Sequence, residues 1–119
     1  KVLKLLFKKY KMGIVTSSRR DHFNIIHKRS NLLKYFQFIV ANDEFSNSKP
    51  HPEPYLIGLN KSGFNVKECL AIEDSERGMR SAKNAKLDCW VIPTKLTEKS
   101  DFNDADKVLN SINELTTLL

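Results

Sequence analysis

Along the 119 residues the spacing of apolar positions changes several times, and each change predicts an element. Residues 2–11 repeat at helical intervals, with Val2, Leu3, Leu6, Phe7 and Tyr10 on one face, and the pattern stops at Met12-Gly13. The β-branched run GIVTS (13–17) then predicts a short buried strand. Phe23, Ile25, Ile26 and Leu32-Leu33 hold helical spacing over 20–36, with a break near Ser30-Asn31. FIVAN (38–42) predicts a second strand. In DEFSNSKPHPEP, Pro50, Pro52 and Pro54 exclude a regular ladder and predict a loop. A helix over 54–61 begins with proline in its first turn and ends at Gly63. CLAIED (69–74) predicts a third strand, 75–86 a helix, and CWVIP (89–93) a fourth strand stopped by Pro93. Residues 94–105 are polar and loop-like. The chain then closes with a predicted helix over 106–119, whose apolar face holds Val108, Leu109, Ile112, Leu115 and Leu119.

Strands that alternate with helices and are apolar along their whole length imply an α/β fold, a parallel sheet with helices on both faces. Such sheets bind ligands at the carboxyl ends of their strands. Those ends carry Thr16-Ser17-Ser18, Asn42-Asp43, Glu73-Asp74-Ser75 and Pro93-Thr94, and Lys49 lies in the loop after the second strand.

The length fits one domain. A net charge of +6 raises the question of a polyanion partner, but the basic residues are spread along the chain. Their densest run, KKYK (8–11), falls on the first amphipathic helix, where a solvated face accounts for it. The aromatics sit inside apolar segments, not between basic residues as a stacking surface requires. No nucleic-acid partner and no membrane association are expected, since no apolar run approaches a membrane span. Cys69 and Cys89 each start a strand-like run without metal-ligand spacing, which suits a reducing, cytoplasmic location. The first residue is a lysine already inside a helical pattern, which predicts sequence upstream of it.

Each strand-end residue has an ordinary explanation when taken alone. Thr16 or Ser17 could cap a helix, Lys49 could be a solvated loop residue, and Asp74-Ser75 could be a cap favoured by the helix dipole. Yet two adjacent carboxylates closing an apolar strand repel each other, so a cation is an equally good account. In order, a hydroxyl with free amides, a lysine and an acidic pair on successive parallel strands would gather around one point. That point suits a phosphoryl group and a bridging Mg²⁺, held by hard oxygen ligands.

The runs GIVTSS, KPHPEPYL and CLAIEDSERGMRSAKNA resemble the haloacid dehalogenase-like superfamily, on the branch with phosphoglycolate phosphatase and β-phosphoglucomutase. The resemblance runs from about residue 10 to residue 93, and it implies a Rossmann-like core. It also implies that Thr16, with the Ser17 amide, binds the phosphoryl group, and that Lys49 steadies both nucleophile and phosphate. Asp74 becomes a Mg²⁺ ligand, with Glu73 beside it as a second ligand or a holder of water. Ser75 and Gly78 are expected to be structural, one capping the helix and the other letting it approach the sheet. Two departures stand out. Lys86 replaces the glycine that often ends the helix after the acidic pair, and a left-handed lysine costs on the order of 1 kcal/mol, so a different ending is expected. The family's first motif, Asp-x-Asp after a strand, is also absent; Asp104-Ala105-Asp106 follows no strand and is a chance match.

In the family the first-motif strand lies between the strands that carry Thr16 and Glu73. Its absence leaves two strand pairs with a gap, and buried unpaired backbone groups are avoided in native proteins. A preceding segment is therefore expected to supply the nucleophile strand and the cap. On this reading residues 1–119 are the C-terminal part of the core: 1–11 the return helix from the cap, 12–93 the core, and 94–119 a loop and final helix. The expected activity is a Mg²⁺-dependent phosphohydrolase acting on a small phosphorylated metabolite through an aspartyl-phosphate. A phosphomutase of the same family is the close alternative, and a non-catalytic binding module is the reading if the natural chain is this short. A metal-free dehalogenase gives no reason for the acidic pair, and a receiver domain would place its acids before its Thr and Lys.

Overall fold

The computed structural model describes residues 2–27 and 30–119. Lys1, Lys28 and Arg29 lie outside the described residues, as do the side chains of Ile26 and His27, so the predicted roles of these residues in the first two helices rest on sequence alone. In chain order the elements are α1 (Val2–Phe7), β1 (Gly13–Val15), α2 (Arg20–His27), β2 (Phe38–Val40), α3 (Glu53–Ser62), β3 (Leu70–Glu73), α4 (Glu76–Asn84), β4 (Asp88–Val91), β5 (Lys107–Val108) and α5 (Glu114–Leu118).

The strands form two separate parallel sheets. β1 pairs with β2, and β3, β4 and β5 pair in that order. The expected gap between the strands carrying Thr16 and Glu73 is therefore present, but one side of it is three strands wide. The extra strand corrects the predicted closing helix. Lys107 and Val108 extend along β4, with Leu109 N–H donating to Val91 O (2.7 Å) and Asp106 N–H to Cys89 O (2.8 Å). Helical spacing misled here because Val108 is exposed, whereas Leu109 and Leu115 turn inward. The helix that follows is only α5.

Local chemistry explains the boundaries. α3 carries Pro54 in its first turn and ends at Gly63, whose φ of 76° is left-handed. The end of α4 departs from expectation. Lys86 does adopt the left-handed region (φ 69°), and its N–H donates to Lys83 O while Leu87 N–H reaches back to Ala82 O, both 3.0 Å. This paired closure takes up orphan carbonyls of the last turn, and Leu87 is buried directly after it. Burial of Leu87 and the two hydrogen bonds outweigh the roughly 1 kcal/mol strain at a lysine.

The main core joins Tyr55 of α3, Ala71 of β3, Met79 and Ala82 of α4 and Cys89 and Val91 of β4. A second cluster brings Leu6 of α1 against Leu109 and Leu115, so the two ends of the described chain pack together. Both cysteines are free; Cys89 is buried and Cys69 half-buried. Among the described residues no helix is long and apolar enough to cross a membrane.

Candidate functional site

A cleft of ≈ 540 Å³ separates the two sheets on the side where β1 and β3 lack a neighbour. Its walls are apolar, with Ile14, Val15, Ile72, Ile92 and Ile112. Its polar lining is Thr16, Ser17, Ser18, Lys49, Glu73 and Asp74. The five residues to which the resemblance assigns phosphate or metal roles, Thr16, Ser17, Lys49, Glu73 and Asp74, thus line one cleft. Ile72 is 39% exposed there although it sits in the middle of an apolar strand, an exposure that an open strand edge accounts for.

Strand ends place all the polar residues except Lys49, which comes from the proline-rich loop. β1 stops at Val15, and Thr16 N–H donates to Val40 O of β2 (2.9 Å), which fixes Thr16 at the mouth. Its Oγ1 accepts from the Ser18 amide (3.1 Å), leaving the hydroxyl proton for an outside acceptor. Ser17 is exposed, and its amide has no acceptor among the described residues.

Lys49 reaches inward from the proline-rich loop. Its ammonium donates to Val15 O (3.1 Å) and to Glu73 Oε2 (2.6 Å). Both partners are largely buried, with side-chain exposures of 11% and 7%, so neither charge is left uncompensated away from water. Two of the three ammonium hydrogens are used, and the third is available to an oxygen in the cleft. The same Glu73 oxygen accepts from the Tyr55 hydroxyl. Burial, and then the charge of Glu73, push the Tyr55 phenol well above its usual range, so it stays a neutral donor.

The adjacent acids part company. Glu73 points inward, while Asp74 is exposed and its carboxylate accepts no hydrogen bond among the described residues. Asp74 is not the helix cap. Ser75 takes that role, its Oγ accepting from Gly78 N–H at 3.1 Å. Asp74 is steadied through its backbone instead, its carbonyl accepting from Thr97 Oγ1 (2.6 Å). His51 serves the loop: its Nδ1 accepts from Glu53 N–H and its carbonyl from Ser81 Oγ. Asp104 and Asp106 do not line the cleft; they pair with Arg80 and Lys83 beside α4.

The described residues contain no cluster of three or more His, Cys, Asp or Glu side chains suited to a metal. One free carboxylate is nonetheless a reasonable contribution to a Mg²⁺ site, because that ion commonly uses one or two carboxylates, phosphate oxygens and water. Sequence reasoning missed Tyr55, whose partner Glu73 lies 18 positions away. An aromatic directly after Pro54, the last proline of the run, was the available signal, and its hydroxyl could not be assigned a partner from sequence.

The fold is a parallel α/β core with a cleft at the carboxyl ends of its strands, and the comparisons identify the family. The model of the haloacid dehalogenase-like hydrolase family matches residues 1–92, and the chain belongs to that family. YhcW of Bacillus subtilis (strain 168), described as a putative phosphatase, is 35% identical over 109 residues, 92% of this chain and 50% of that protein. Phosphoglycolate phosphatase of Escherichia coli (strain K12) is 26% identical over 110 residues, 91% of this chain and 44% of that one. The crystal structure of CbbY from Rhodobacter sphaeroides in complex with phosphate superposes with a TM-score of 0.86 at 26% identity, covering 96% of this chain and 52% of that one. The chain thus spans about half the length of the relatives it matches.

Proposed function

We propose that the protein carrying this chain is a Mg²⁺-dependent phosphatase for a small phosphorylated metabolite. The observation that carries the reading is the convergence of Thr16, Ser17, Lys49 and Asp74, from three separate parts of the chain, on one cleft. Thr16 and the Ser17 amide donate to phosphoryl oxygens, and the free Lys49 hydrogen offsets charge that builds up in the transition state. Asp74 is the ligand this chain offers to Mg²⁺, with Glu73 beside it. The ion, when bound, neutralises phosphoryl charge and fixes the group for in-line attack.

The nucleophile belongs to a segment outside these residues. An aspartate oxygen forms a bond to phosphorus as the ester oxygen leaves with a proton, and water then cleaves the acyl phosphate. The same segment would place a strand between β1 and β3, pair their open edges and cover Ile72. Residues 1–119 are then the C-terminal part of the core, with the cap inserted ahead of α1. The unpaired cysteines suit a cytoplasmic enzyme. The similarity to phosphatases named above supports the activity, and the structure with bound phosphate supports the ligand class.

The test is hydrolysis of a generic aryl phosphate by the full-length protein. Wild type should release phosphate only with Mg²⁺, and Asp74→Asn should abolish release; activity unchanged by that substitution removes Asp74 from the metal site. A start codon in the coding sequence just upstream of Lys1, in place of a strand ending in Asp-x-Asp, would sink the phosphatase reading.

A further inference from the structure

We infer that Tyr55 is a positioning residue for this site: its hydroxyl holds the Glu73 carboxylate on Lys49 and away from the cation that Asp74 serves. The inference rests on the phosphatase reading and adds a division of labour between the two acids.

Three contacts fix the Glu73 carboxylate. Oε2 accepts from both Lys49 Nζ and the Tyr55 hydroxyl. Oε1 lies against Gly78, where a Cβ would stand 1.8 Å away. Tyr55 also touches the other member of the ion pair, with Lys49 Nζ 5.2 Å from its ring centroid. One side chain therefore restrains both charges, the carboxylate through its hydroxyl and the ammonium through its ring. The ordinary account is that a buried tyrosine hydroxyl needs some acceptor. That account leaves unexplained why the acceptor is the counter-ion of the lysine that lines the cleft. A carboxylate bonded to Lys49 alone could swing toward its neighbour Asp74, where two acids would share a cation. The second donor on Oε2 opposes that swing. It keeps Glu73 as the partner that aims Lys49, and it leaves Asp74 as this chain's cation ligand.

The test uses the full-length protein and Tyr55→Phe, which keeps the ring. Aryl phosphate kinetics are measured beside Mn²⁺ binding by electron paramagnetic resonance, with Mn²⁺ as the probe ion. The expected result is a fall in kcat of about tenfold, the scale of one hydrogen bond to a charged group. KM should change little, and Mn²⁺ should bind several-fold more tightly because Glu73 is released toward it. In a Glu73→Gln background the Mn²⁺ gain should vanish, since Tyr55 acts through that carboxylate. Wild-type kcat with an unchanged Mn²⁺ dissociation constant overturns the inference, and so does a variant that only melts earlier or fails to fold. If wild type shows no Mg²⁺-dependent hydrolysis, the phosphatase reading has failed instead. The Mn²⁺ titration then decides the role of Tyr55 by itself.

Discussion

Gly78 and Glu73 occupy one space: a Cβ on residue 78 would meet Glu73 Oε1 at 1.8 Å. A carboxylate end can usually move aside, but this one is held by Lys49 and Tyr55. Gly78→Ala should therefore dislodge the carboxylate from its buried ion pair. Breaking hydrogen bonds to a buried charge costs about 2–3 kcal/mol, and alanine returns about 1 kcal/mol of helix propensity. A net loss of about 1–2 kcal/mol is expected in denaturant unfolding of the full chain, with a parallel drop in phosphate release. A variant as stable and active as wild type would show that the glycine is not required by Glu73.

Lys86 carries left-handed strain inside a closure that otherwise satisfies the end of α4. Lys86→Gly should relieve it and raise stability by about 1 kcal/mol, since the position is exposed and needs no side-chain contact. The denaturation midpoint reads this directly, and no gain would mean the surrounding hydrogen bonds already absorb the strain.

Asp106 ties β5 to the rest of its sheet, with Oδ2 accepting from Lys83 Nζ (2.8 Å) and Cys89 N–H (2.7 Å). The Lys83 hydrogen bond, then that of the Cys89 amide, hold its carboxyl below the usual range. A depressed folded-state pKa means the contribution is present above the unfolded pKa, near 3.9, and is lost as pH falls through the lower folded value. Asp106→Asn should lower stability near neutrality and converge on wild type once pH has fallen below the lowered folded value. A constant offset at every pH would assign the loss to geometry, not charge.

Burial, with the charge of Glu73, pushes the Cys89 thiol up to about 12. Iodoacetamide at about pH 8 should leave Cys89 unmodified in the native protein and label it once the chain unfolds, as peptide mass spectrometry would report. Rapid native labelling would show that the β4 core opens.

Much of this was legible in the sequence because parallel strands buried on both faces announce themselves as short apolar runs. β1 to β4 fall within two residues of the predicted runs GIVTS, FIVAN, CLAIED and CWVIP. Thr16 and Asp74 were legible as strand-end residues and Lys49 as a residue of the loop after β2, and the resemblance gave them roles. β5 was not, because two exposed residues embedded in helical spacing carry no strand pattern, and only hydrogen bonds to Cys89 and Val91 make them one. Nor could sequence show that Glu73 faces inward. Its partners lie 18 and 24 positions away, so the choice between two neighbouring acids is settled by tertiary contact.

The inward turn of Glu73 also fixes the charge a visiting ligand meets. The cleft lining holds one lysine and two acids, a net of −1, and the lysine is already matched to one of the acids. On the proposed function, a phosphate dianion finds no net attraction from these residues until a divalent cation has joined Asp74. On the proposed function the two affinities are linked, and each ligand must strengthen the other by the same factor. Inhibition by inorganic phosphate should then deepen as Mg²⁺ rises; inhibition indifferent to Mg²⁺ would show that the amides and hydroxyls suffice. Saturation with metal would come first, and phosphate would be the second ligand to arrive.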